Sequence, residues 1–129
     1  MSEVLKVEFR KFASQIAEGE IRRDLAPLNF ENLKKVGKAI TTAINRGEYI
    51  ILNIPAKLTN EGSLYSEFKE GDLLLAPAAS SLIVVLRPFS EARFRMYKAG
   101  EVKTGMNALR LLKTGESVTV VITEATQHV

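Results

Sequence analysis

Few residues in this chain have the type and spacing to do chemistry. Arg93-Phe94-Arg95-Met96-Tyr97-Lys98 sets two guanidiniums and an amine among aromatic and thioether side chains. On a strand, alternate side chains share a face, so Arg93, Arg95 and Tyr97 line up on one side and Phe94 and Met96 on the other. Two guanidiniums beside a phenol can grip a phosphate and stack a base. The same pattern describes a half-buried strand with a solvated basic face, which is the more ordinary of the two readings. Glu67, Glu70 and Asp72 could offer oxygens to a hard cation, but their spacing matches no calcium loop. The plainer expectation is that Glu67 and Glu70 are solvated and that Asp72 bonds its own turn. Glu18 and Glu20 share a strand face and read the same way. There is no cysteine, and the single histidine, His128, lies in a tail expected to fray. Thiolate chemistry, most nucleophile–base pairs and histidine metal sites are therefore unavailable. No glycine-rich loop joins a strand to a helix, so no phosphate cradle is indicated. No catalytic residue, metal ligand or cofactor is assigned.

A hollow is the third candidate. Small barrels can hold one ligand, with loops at one mouth. The loop from Thr59 to Phe68 and the elbow at Ala76, Ala78 and Ala79 would flank such a mouth, with Tyr49, Tyr65, Phe68 and Phe89 as aromatic lining. The alternative is that these aromatics complete the core.

These residues need elements to position them. Glu70 to Leu86 reads as two apolar strands bracketing a Pro/Ala/Ser elbow, opened by the turn pair Gly71-Asp72 and broken at Pro77. Short apolar runs bounded by turn residues are the mark of strands buried on both faces. Ile83, Val84 and Val85 add β-branched preference to the second run. Upstream, Val4 to Phe12 alternates with Leu5, Val7 and Phe9 on one face. A second, weakly marked strand is expected over Ala17 to Leu25. Asn29 is placed as the N-cap of a short helix over Phe30 to Val36, which ends at Gly37. Residues 40–44 then form the first arm of a hairpin, turning at Asn45-Arg46-Gly47 into Tyr49 to Ile54. A long helix over residues 30–44 is the alternative. Further strands are expected at Ala92 to Tyr97, before breaks at Gly100 and Gly105, and at Ser117 to Thr123. A second short helix covers Met106 to Lys113. Seven or eight strands with two brief helices predict a mainly-β fold, a closed barrel or sandwich, with Leu74, Val84 and Val120 in one core.

Composition bounds the rest. The 129 residues suit one domain, 1–129, with 46% hydrophobic and 26% charged residues. Net charge is +3 with the signs interspersed, which chooses no partner class and disfavours a dedicated nucleic-acid binder. No apolar run reaches the roughly 18–20 residues that span a bilayer, and the N-terminus lacks a signal peptide's apolar core. The expectation is a soluble, cytoplasmic protein with no membrane partner.

The order of features resembles a small prokaryotic cyclophilin-like barrel family of uncharacterised function. The resemblance is carried by the short helix before a hairpin, Tyr49-Ile50-Ile51-Leu52-Asn53-Ile54-Pro55, and a polar loop. It continues in the Gly71-Asp72 strand running into the elbow, Gly100-Glu101-Val102, and Gly115-Glu116 before the last strand. It covers most of residues 4–123 and implies a closed cyclophilin-like β-barrel with two short helices. Ala76, Ala78 and Ala79 stand where that family shows Trp, Pro and Gly. The arginine, the Gln-Gly-Gly segment, and the tryptophan and histidine of true cyclophilins have no counterpart here. The resemblance therefore places no prolyl isomerase residue on this chain, and fold alone does not establish activity.

Three functions stay open: a non-catalytic module binding a peptide or small molecule, a divergent peptidyl-prolyl isomerase, and a nucleic-acid-associated protein using the basic strand. The first is preferred, with Tyr49, Tyr65, Phe68, Phe89, Arg93, Arg95 and Tyr97 as candidate ligand-binding residues; no prolyl isomerase signature is found, and the question of enzyme activity stays open. The oligomeric state is not legible.

Overall fold

The computed structural model describes residues 3–61, 67–89 and 95–125. They form a closed barrel of eight strands: β1 (Val4–Lys11), β2 (Ser14–Arg22), β3 (Lys38–Asn45), β4 (Tyr49–Asn53), β5 (Asp72–Ala76), β6 (Ser81–Val85), β7 (Tyr97–Thr104) and β8 (Ser117–Glu124). Two short helices, α1 (Phe30–Lys34) and α2 (Met106–Arg110), are inserted between them. The order around the barrel is β1-β2-β7-β5-β6-β4-β3-β8, and all neighbours are antiparallel. Closure removes most of the free edge that a sheet of this composition would otherwise expose. Among the described residues no helix is long and apolar enough to cross a membrane.

The hairpin over residues 38–53 forms, and the long-helix alternative does not. Gly47 takes φ +89 at its tip, and Asn45 Oδ1 accepts the Gly47 N–H at 2.7 Å. The second strand starts three residues earlier than its composition suggests. The strand expected at Ala92 to Tyr97 requires correction. Residues 92–94 lie outside the described segments, Arg95 and Met96 precede the strand, and β7 begins only at Tyr97. Gly100 does not break the chain either. It sits inside β7, where a Cβ would stand 1.7 Å from the Glu20 carbonyl oxygen on β2, so glycine is what permits the two strands to pair.

Strand alternation divides the apolar residues into two clusters. The bore is filled by residues such as Leu5, Val7, Phe9, Leu73, Leu75 and Val120, and it is capped by Phe30 and Leu33 of α1 and Leu109 of α2. An eight-stranded barrel is just wide enough for side chains to fill it. The hollow considered for a ligand is therefore occupied by the protein's own core. Leu74, Ala76, Ile83 and Val85 point the other way. They form an outer cluster with Phe68, Phe89 and Met96, against which Tyr49 and Ile51 pack. Leu74 thus does not share a core with Val84 and Val120, because the period of two sends it to the opposite face of β5 from Leu73 and Leu75. Covering segments on this outer face explain why β5 and β6 are buried along their whole length.

Asn29 precedes α1 but makes no side-chain cap. Its amide instead donates to Thr59 C=O at 2.9 Å and to the buried carboxylate of Glu61 at 2.6 Å, while Asn29 Oδ1 accepts the Thr59 N–H at 2.7 Å. A buried carboxylate is tolerated only with such donors, and these bonds tie the segment after β4 to the start of α1.

β3 closes the barrel in two halves. Lys38–Thr42 register with β8, whereas only Ala43–Asn45 register with β4. Past Asn53 the chain turns away: the Ile54 N–H bonds Ser80 C=O at 3.0 Å, and Pro55 has no N–H to offer β3. The first half of β3 is consequently paired on one side only.

Candidate functional site

The outer face of β4, β6 and β5 presents Tyr49, Ile51, Ile83, Val85 and Leu74 because these are the residues left over when their neighbours fill the bore. Two chain segments cross this face. They meet in an isolated antiparallel bridge in which the Phe68 N–H bonds Phe89 C=O at 2.9 Å and the Phe89 N–H bonds Phe68 C=O at 3.3 Å. The bridge holds Phe89 between two rings, with centroid separations of 5.1 Å to Tyr49 and 5.1 Å to Phe68 in tilted geometry. Rings at this distance attract beyond their burial alone. Beside them lies a cleft of about 330 Å³ lined by Glu67, Phe68, Lys69, Pro88 and Phe89. Its floor is aromatic and its rim carries one carboxylate and one ammonium.

Three of the seven candidate ligand-binding residues, Tyr49, Phe68 and Phe89, are thus brought together, on the outside of the barrel. Arg95 is exposed and directly precedes Met96, which packs into the same outer cluster. Tyr97 is 1% exposed at the start of β7, opposite Leu75, so it shares no solvent face with Arg95. The grouping of Arg95 with Tyr97 is corrected accordingly. Tyr65 and Arg93 lie outside the described residues.

The acidic residues are distributed among cations. Asp72 accepts the Lys69 N–H at 2.9 Å, closing its own turn, and faces Lys98 Nζ at 3.4 Å. Glu70 pairs with Arg110. Among the described residues no three acidic or histidine side chains converge on a common point. Carboxyls with displaced pKa values lie elsewhere on the barrel surface. Glu8 is held low by its hydrogen bond from Arg10, Asp24 by Arg22, and Glu116 by Lys11 and the Lys113 N–H. Each is a surface ion pair, and none faces the aromatic cleft.

Further concavities lie among the described residues. One, of about 460 Å³, is lined by Glu70, Arg87, Arg110 and the β3–β4 turn. Another, of about 600 Å³, lies between the first half of β3 and Asn53–Pro55. Sequence reading missed this last groove, although Pro55 was a signal that pairing with β3 must stop there.

No protein-family model and no curated protein sequence matches the chain. Among solved structures it is similar to a hypothetical protein from Archaeoglobus fulgidus determined in solution, with a TM-score of 0.69 over 96% of this chain and 95% of that one. The two are 19% identical, a likeness that establishes the closed eight-stranded barrel and carries the fold alone.

Proposed function

We propose that this protein is a non-catalytic binding module of the cyclophilin-like barrel type that takes a peptide side chain or a small aromatic molecule in the cleft at Phe68 and Phe89. The observation that carries this reading is the Tyr49–Phe89–Phe68 stack beside an open 330 Å³ concavity. Because the bore is filled, a ligand must be taken on the outside, and this aromatic floor is a surface on which a planar or apolar group gains most. Glu67 and Lys69 at the rim can orient a polar end.

The isomerase alternative needs a donor aimed at a twisting prolyl amide. A hundredfold acceleration requires about 2.7 kcal/mol of added transition-state stabilisation. At the position where the family resemblance puts the arginine, Leu52 is buried in the bore, and the Asn53 side-chain N–H is given to Ala79 C=O at 3.1 Å. The nucleic-acid alternative loses its stacking aromatic with the burial of Tyr97.

The test is a nuclear magnetic resonance titration with two probes, indole and a tetrapeptide containing one central prolyl bond. The expected result is saturable shifts at Tyr49, Phe68 and Phe89, unchanged prolyl exchange, and about tenfold or greater loss of affinity in Phe89→Ala. Absence of shifts at millimolar probe, or shifts confined to other surfaces, overturns the cleft. Robust prolyl exchange overturns the non-catalytic reading.

A further inference from the structure

The first half of β3 has β8 on one side and a groove on the other. The Ile122 N–H bonds Gly37 C=O at 2.6 Å and the Ala43 N–H bonds Glu116 C=O at 2.8 Å. In an antiparallel ladder alternate residues turn both backbone groups to the same neighbour, so the odd-numbered residues from 37 to 43 face β8. Lys38 and Ile40 then direct their N–H and C=O groups to the opposite side, free of β4, whereas Thr42 sits beside Asn53 at the end of the β4 ladder. That side opens into the groove of about 600 Å³, whose far wall is Asn53–Pro55. Ile40 is 74% exposed beside it, its apolar side chain open to an incoming strand.

We propose that Lys38–Thr41 of β3 binds an extended, acidic peptide segment of a partner protein by adding it as a strand along this edge. Four residues of edge at about 3.4 Å each offer roughly 14 Å of backbone, which fits a segment of four to six residues. Main-chain hydrogen bonds supply the affinity, and alternate side chains supply the choice of partner. On the outer face an incoming residue beside Ile40 is apolar, packing on Ile40 and Pro55. The residue beside Lys38 is acidic. Lys38, Lys35 three residues before it, and Lys57 two residues beyond Pro55 are all exposed, and none makes an ion pair among the described residues. This unmatched positive charge selects against a second copy of the chain, since β3 contains no carboxylate and each copy carries net charge +3.

The test uses a fluorescein-labelled, end-capped heptapeptide of alternating valine and glutamate, with a valine–lysine heptapeptide as its counterpart, read by anisotropy. The glutamate peptide binds saturably and the lysine peptide does not. Ile40→Pro removes an N–H that faces the groove and not β8, so it weakens binding by about fivefold or more while circular dichroism is unchanged. Lys38→Glu weakens the glutamate peptide by about three- to tenfold and gives binding to the lysine peptide. Should Ile40→Pro not fold, that charge swap decides alone. Equal binding of both peptides, no binding at millimolar peptide, indifference to the variants, or a dimer in sedimentation that Ile40→Pro dissolves would each overturn the proposal. Phe89→Ala leaves this binding intact, so the aromatic cleft and the β3 edge fail independently.

Discussion

Replacing Gly100 by alanine tests the packing argument most directly. The added Cβ would stand 1.7 Å from Glu20 O, 2.7 Å from Glu20 C and 2.9 Å from Ile21 Cα, all backbone atoms that no rotamer change can move. Ordinary contact begins at 3.4 Å, so β2 and β7 must part by about 1.7 Å at that point (3.4 less 1.7). β7 cannot retreat freely, because Gly100 also registers with Leu73 of β5 on its other flank. Losing two or three ladder hydrogen bonds at about 1 kcal/mol each, with overpacking of about 1–3 kcal/mol, gives an expected loss of about 3–6 kcal/mol. In urea the midpoint should fall with the slope unchanged, and Tm should drop by roughly 10–25 °C. Gly37→Ala is the control. It has φ +64 and nothing within 4 Å of a new Cβ, so it should cost only about 1–2 kcal/mol from the left-handed backbone. A Gly100→Ala loss below about 1 kcal/mol, or one equal to that of Gly37→Ala, refutes the close-approach account.

Leu74→Ala, at a fully buried position of the outer cluster, should lose about 2–5 kcal/mol in denaturant unfolding and also disturb the Phe68 and Phe89 ring resonances. Intact ring resonances would mean that the cleft does not rest on β5. Glu116 has its carboxyl held below the ordinary range by Lys11 and the Lys113 N–H. Its folded pKa lies below its unfolded one, so the stabilisation is present above the unfolded carboxylate range and is lost as pH falls through the folded value. Glu116→Gln should therefore flatten the fall of the urea midpoint below about pH 4.5, the ordinary carboxyl value, and identical pH profiles would refute the linkage.

Local pattern was enough to find most of the elements. The alternation of Leu5, Val7 and Phe9, the β-branched run Ile83-Val84-Val85, Pro77 at the elbow and Gly47 at the hairpin tip act over a few residues. Neighbours in sequence suffice to specify them, so the barrel class and both helices were legible. What local pattern could not specify is which strand lies beside which. β7 lies between β2 and β5, and Gly100 reads as a breaker until β2 is seen against it. The bond between Asn29 and Glu61 joins residues 32 positions apart, so the asparagine looked like a helix cap. Which of Leu73, Leu74 and Leu75 faces the bore follows from register, since a period of two leaves both faces of an all-apolar run alike. The aromatic stack and the open edge of β3 are likewise products of closure. Tyr49 meets Phe89 because β4 pairs with β6, and Lys38–Thr41 is paired with β8 alone because β4 turns aside at Ile54 and Pro55. Sequence determined the strands. Non-local pairing decided which of their faces and edges were left for a ligand.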